Sequence, residues 1–260
     1  LAKMKYSYLV SGLNNEAKKW SFDGALSDIK QAIAIQDLPI YTQLEGDIHY
    51  LKQDYNSALA SYKKVNESNI RSASTIFTEA KTLEMLETPA EEVLVLMDSC
   101  VAQFNKPYSA DAAPYLIERA RVRMEAKQAR NAVLDYDECY AALLGNVNDG
   151  FYNLRGQACL ESKQYQRALD DFTKAIELNP RELTYYSELA YVNMRVGRNQ
   201  EAIDVLKKSL KIDAEYAEGY RLIGVAYLQL KQNAEACEYF SKAKELGGTN
   251  VDTLIDKYCK

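Results

Sequence analysis

His49 is the only histidine among 260 residues, so any relay that needs an imidazole must be built around that one side chain. No cysteine sits beside it, and a zinc site wants four suitable ligands. Neither a Cys–His couple nor a metal centre is expected, no cofactor is implied, and His49 reads as a packing residue. The five cysteines are Cys100, Cys139, Cys159, Cys237 and Cys259. Their number is odd, no Cys-x-x-Cys occurs, and the spacings of 39, 20, 78 and 22 fit no metal or disulfide framework. They read as reduced thiols, most of them packed in a core, which favours a reducing compartment. Carboxylates run together at Asp135-Tyr136-Asp137-Glu138 and at Asp170-Asp171. Nothing suggests a pocket that would raise one of their pKa values, so they read as solvated outer faces. Neither the Walker-type phosphate loop nor G-x-G-x-x-G occurs. No enzyme is expected.

The elements that position these residues must be helices. Only 5 prolines and 11 glycines punctuate the chain, and Ala, Leu, Glu, Lys and Gln are plentiful. A composition of 47% hydrophobic and 27% charged residues is that of a folded protein. The net charge of −5 argues against a general nucleic-acid or anionic-membrane surface. Tyrosine outnumbers phenylalanine 20 to 6, which suits half-buried positions where the ring packs and the hydroxyl stays wet. No apolar run approaches the roughly 18 residues of a membrane span.

A period of 34 residues organises the C-terminal half. Asp149 opens Tyr152-x-x-Arg155-Gly156, followed by Ala168, Phe172, Ala175 and Pro180. Leu183 opens Tyr186-x-x-Leu189-Ala190, then Gly197, Ala202 and Leu206. Ala217 opens Tyr220-x-x-Ile223-Gly224, then Ala236, Phe240 and Ala243. Small residues recur at repeat positions 8 and 20, and a large apolar one at 24. The pattern decays toward the N-terminus: Ala113 opens Leu116, Ala120, Ala132, Tyr136 and Cys139; Ala73 opens Ile76 and Ala80; Pro39 opens Gly46, Ala58 and Tyr62. Phe22, Ala25, Ile29 and Ala32 read as the second helix of a first repeat, preceded by Leu9 and Leu13.

This pattern resembles the tetratricopeptide repeat (TPR), with an aromatic at position 4, small residues at 8, 20 and 27, an aromatic at 24 and Pro at 32. The run from Tyr165 to Pro180 matches its second half almost residue for residue. The resemblance implies an all-α, right-handed superhelical solenoid of antiparallel helix pairs, about seven in number. Each pair, a helix A and a helix B, cannot bury its apolar stripe alone. The expected organisation is degenerate repeats 1–3 over 1–103, a loop at 104–112, repeats 4–7 over 113–250 and a capping helix at 251–260. The loop carries a six-residue excess, read either as a tolerated surface insertion or as a bend between the two groups of repeats. Leu254, Ile255 and Tyr258 would cover the open face of the last repeat.

The resemblance also implies non-catalytic protein or peptide binding, with the ligand in a concave groove lined by helix A positions 2, 5, 9, 12 and 13. Those positions supply the candidate binding residues Arg121, Asn153, Gln157, Ser187, Tyr191, Met194, Arg195, Arg221 and Gln229. Amides pair with an extended backbone, while Tyr, Met and Arg give anchoring area; the plainer reading is the exposed side of helix A. Some relatives grip a terminal carboxylate with Lys, Asn and Arg at set positions. Here those places hold Asn153, Gln157, Glu188, Glu218 and Leu222, and the acids would repel it. Arg119, Arg121 and Arg123 form a basic cluster suited to an acidic partner, and Arg119 and Arg155, at position 7, are expected to lay their stems over the repeat interface. The alternative function is a sensor or assembly segment of a larger cell-envelope or regulatory protein. The chain starts without Met, so a missing targeting segment leaves cytoplasm and periplasm both open, and oligomeric state is undetermined.

Overall fold

The computed structural model describes residues 21–67, 72–104 and 109–259. Leu9 and Leu13, and residues 105–108 of the long loop, lie outside them. The described residues form α1 (Phe22–Ile35), α2 (Pro39–Leu51), α3 (Tyr55–Asn66), α4 (Ala73–Met85) and α5 (Ala90–Val101). After a 3₁₀ turn at Ala110–Ala112 come α6 (Ala113–Glu125) and α7 (Ala129–Ala142). Then follow α8 (Asp149–Glu161), α9 (Tyr165–Leu178), α10 (Leu183–Arg195), α11 (Asn199–Ile212), α12 (Ala217–Gln229), α13 (Asn233–Glu245) and α14 (Asp252–Tyr258). The described residues are all-α, and within each unit the helices pack mainly on their neighbours in sequence. Two compact units emerge: one runs to Gln128 and includes Asp135–Leu143, the other holds Ala129–Leu134 and Leu144 onward.

Helix starts follow local chemistry. Ser21, Asp54, Ser72 and Asn148 accept the backbone N–H three residues on, at 3.0, 3.3, 3.2 and 2.9 Å, which satisfies one of the orphan donors of a first turn. Pro39 and Pro114 occupy first turns, where no N–H is missed.

Within a helix pair the decisive contact is between positions 8 and 24. A Cβ added to Gly46 would lie 2.7 Å from the Tyr62 ring, one on Gly156 2.9 Å from Phe172, and one on Gly224 2.5 Å from Phe240. Each glycine therefore carries the ring of the partner helix directly against its backbone. The rings are fully buried or nearly so, each contributing about 1.5–3 kcal/mol by area. Around them the core is laid down in layers. In the first unit Ala25, Leu26, Ile29, Leu44 and Ile48 form one cluster and Ala80, Val93, Leu94, Met97 and Val122 another. In the second, Ala190, Ile203, Leu206, Leu222 and Ile223 are followed by Ala236, Phe240, Ala243 and Val251.

The A-to-B turns share a backbone device that composition does not announce. Gln53, Glu87, Lys127, Lys163, Gly197 and Lys231 all have φ between 56° and 81°, and all stand at repeat position 15. Only one is glycine. The other five accept the left-handed conformation at roughly 1–2 kcal/mol each, and the tight turn survives because packing on both sides holds it.

The cysteine reading needs a correction. Cys237 and Cys259 form a disulfide, with Cα atoms 5.6 Å apart. Spacing alone could not show this, because α14 doubles back on α13: Val251, Leu254 and Ile255 pack on the Phe240 cluster and carry Cys259 to Cys237. Cys100, Cys139 and Cys159 are free and buried as read.

Two outcomes are expected. Gly224→Ala gains about 1 kcal/mol of helix propensity but forces a methyl into a ring that cannot retreat, at about 1–3 kcal/mol; a lower denaturation midpoint is expected, and an unchanged or higher one contradicts the close contact. Reducing Cys237–Cys259 releases a closed loop worth about 3 kcal/mol, so amide exchange should rise across 252–258 and stay unchanged across 149–212.

Candidate functional site

In the first unit the expected basic cluster is already neutralised. Asp135 Oδ2 accepts Arg119 Nε at 3.1 Å, and its Oδ1 accepts Arg119 Nη2 at 2.6 Å and Arg123 Nη1 at 2.7 Å. Asp98 Oδ1 accepts from the same two arginines at 3.1 and 3.0 Å. Arg121 pairs with Glu84, with Glu118 at 2.9 Å and with Glu125 at 2.5 Å. Lys81 joins the network through Glu84 and Glu118. Arg119, Arg121 and Arg123 therefore offer an acidic partner little, which corrects that expectation. The reading of the carboxylate runs is corrected too. Asp135 is 1% exposed and Asp171 4%, each facing inward because an arginine sixteen residues earlier takes both its oxygens.

The second unit repeats this pair. Arg155 meets Asp171 through Nε at 3.0 Å and Nη2 at 2.7 Å, and its guanidinium lies 5.6 and 5.7 Å from the ring centres of Phe151 and Tyr152. Arg119 and Arg155 thus do more than cover an interface with their stems: they anchor helix A to helix B in adjacent repeats with the strong bidentate geometry.

The remaining candidate residues of the second unit fall into three groups. Met194 is core, packed with Ala190, Ile203 and Leu206 and 6% exposed; the helical register turns position 12 inward here, and it leaves the candidate set. Gln157, Ser187 and Arg221 are engaged within the chain. Gln157 Nε2 donates to Glu188 at 3.1 Å, Ser187 bonds the Tyr216 hydroxyl at 2.7 Å, and Arg221 pairs with Glu218 on its own helix at 2.7 and 2.5 Å. Asn153, Tyr191, Arg195 and Gln229 keep capacity for a ligand. Asn153 Oδ1 is enclosed yet accepts no hydrogen bond; Tyr191 is 44% exposed, and Arg195 and Gln229 are exposed.

Tyr191 and Arg195 of α10 share a pocket of about 280 Å³ with Leu160, Glu161, Lys163 and Tyr165. Tyr165 and Tyr191 stand beside Arg195 in this pocket, and Tyr165 foremost holds the arginine's pKa up. Sequence reasoning missed Lys163, in the turn between α8 and α9, and Tyr165, the first residue of α9, because neither lies on helix A. For Lys163 the recurring position 15 was the only signal. Also missed was Asp149, whose Oδ2 accepts Asn179 at 3.0 Å and the Tyr185 hydroxyl at 2.9 Å and so ties one repeat to the next. Burial first, then that carboxylate, pushes Tyr185 up to about 12.

His49 Nδ1 faces Asp54 Oδ2 at 3.1 Å beside the cap of α3, a structural position. Burial pushes the Cys100 and Cys139 thiols up to about 11, which leaves them without thiolate character at neutral pH. Among the described residues no helix is long and apolar enough to cross a membrane.

Family models of the tetratricopeptide repeat match residues 151–182 and 217–246, and a TPR repeat model matches 194–231. The chain is 33% identical over 95 residues to small glutamine-rich tetratricopeptide repeat-containing protein 2 of Mycosarcoma maydis, covering 36% of this chain and 27% of that protein. It is 30% identical over 247 residues to Hsp70-Hsp90 organizing protein 2 of Arabidopsis thaliana, covering 93% of this chain and 42% of that one. The chain spans less than half the length of either relative. Among solved structures, YrrB, a TPR protein with an unusual peptide-binding site, superimposes with a TM-score of 0.58 at 19% identity, over 75% of this chain and 97% of that one. A tetratricopeptide repeat protein from Parabacteroides merdae does so with a TM-score of 0.58 at 17% identity, over 99% and 100%.

Glu188 yields a test by pH. Burial holds its carboxyl above the ordinary glutamate range, only partly offset by the Gln157 bond. The folded chain therefore keeps this proton at pH values where the unfolded chain, with a pKa of about 4.3, has lost it. The group's contribution to stability is favourable at low pH and lost as pH rises through the folded value. Glu188→Gln, whose amide oxygen still accepts from Gln157, should flatten that slope and hold or raise the melting temperature at neutral pH; a fall there contradicts the burial account.

Proposed function

We propose that this tetratricopeptide-repeat protein is a non-catalytic binding scaffold that holds an extended segment of a protein partner along the helix A faces of its second unit. The observation that carries the reading is the exposed strip that Tyr191, Arg195 and Gln229 form on successive helix A faces. Asn153 stands on the helix A face before them, an amide able to pair with an extended backbone. Tyr191, Arg195 and Gln229 supply anchoring area and further donors. The names of the relatives agree in kind, since one is an organizing protein for two other proteins and the superimposable YrrB has a peptide-binding site.

The compartment follows a different observation. A disulfide between Cys237 and Cys259 belongs with an oxidising environment, which favours the periplasmic or cell-envelope setting over the cytoplasm.

Partner capture from an extract by the immobilised chain, compared with Asn153→Ala/Tyr191→Ala, tests the scaffold reading. The captured protein should lose affinity by about tenfold or more while the helical melting curve is retained. Unchanged capture places the binding surface elsewhere.

A further inference from the structure

The pocket at Tyr191 and Arg195 carries a statement about what the bound segment contains. Arg195 and Lys163 both line it, and among the described residues neither makes an ion pair. Five other arginines, Arg119, Arg121, Arg123, Arg155 and Arg221, each meet carboxylates. Arg195 instead shares its pocket with two phenols, those of Tyr165 and Tyr191. A guanidinium has five N–H donors, and each phenol has an O–H of its own to donate. Guanidinium, two hydroxyls and the Lys163 ammonium thus line one space. The single acid on its wall is Glu161, which leaves the lining with one more positive than negative group. Leu160 and the exposed Tyr191 ring border it with apolar area.

We propose that this pocket seats an acidic side chain, Asp or Glu, of the bound peptide, with an apolar neighbour lying over Leu160 and Tyr191. The proposal rests on the scaffold reading and narrows it. A carboxylate fits better than a phosphate, because Glu161 opposes a dianion more strongly than a single charge. It also fits the turn: Lys163 has φ of 65°, a strained conformation that the tight connection imposes and that fixes the root of its side chain between α8 and α9.

The probe is an acetylated and amidated peptide, Ser-Gly-Leu-Glu-Leu-Gly-Ser, against its Glu→Gln and phosphoserine counterparts, each titrated to millimolar concentration while the Arg195 Nε–H and tyrosine ring resonances are followed by NMR. The Glu peptide should shift Arg195, Tyr165 and Tyr191, and should bind about tenfold or more tightly than the Gln peptide. Arg195→Gln and Lys163→Gln, both exposed and so compatible with folding, should erase that preference. Equal binding of Glu and Gln peptides, tighter binding of the phosphoserine peptide, or no shift at Arg195 overturns the proposal. The capture by wild-type chain and its loss in Asn153→Ala/Tyr191→Ala are read independently, so a scaffold that binds without an acidic anchor is distinguished from a chain that binds nothing there.

Discussion

The contact on which the rest of the molecule depends is a ring laid on a helix backbone. Tyr62 on Gly46, Phe172 on Gly156 and Phe240 on Gly224 bring helix B of a repeat against helix A at the shortest separation that packing permits. This one approach fixes which stripe of helix A is covered by its own partner. The remaining stripe is then divided between the neighbouring repeat and solvent. A binding face in a repeat protein is in this sense a residue of packing: it is what the ring contact and the inter-repeat contacts leave uncovered.

Much of this was legible because it is periodic. A small residue and a large apolar one sixteen positions apart, repeated at 34-residue intervals, state the close approach in the sequence itself, and the family and the all-α class follow. What was hidden falls under other rules. Asp135 and Asp171 read as solvated because acids in runs usually are; their burial depends on Arg119 and Arg155, which are adjacent only after the two helices cross. Met194 was misplaced by a small rotation, since one position of helical register separates groove from core. The Cys237–Cys259 bond needed a helix to fold back over 22 residues, and no spacing rule contains that information. The left-handed residues at position 15 were unseen because five of the six are not glycine.

The two buried Arg–Asp pairs show how charge is handled once apolar packing is set. A guanidinium and a carboxylate removed from water recover their solvation only in good geometry, and both pairs have it, with two hydrogen bonds each. Removing one partner would strand a buried charge at about 3–5 kcal/mol, so the pairs act as keys between helices more than as sources of net stability. Such keys leave no cation available to a ligand, and the same holds for the surface network of Lys81, Glu84, Glu118, Arg121 and Glu125.

Against that background the contrast within one residue type becomes informative. Arg119, Arg121, Arg123, Arg155 and Arg221 face carboxylates, and Arg195 does not. Where a carboxylate faces an arginine, the interaction is complete within the chain and any ligand must first break it. Where two tyrosines stand beside it, as at Arg195, the charge stays unpaired within the chain and the phenols add donors of their own. An anion that meets such a group has no internal ion pair to break first. Recognition in this chain is thus expected where charge is left unpaired, and the sequence count of basic residues on a helix face is a poor guide to it.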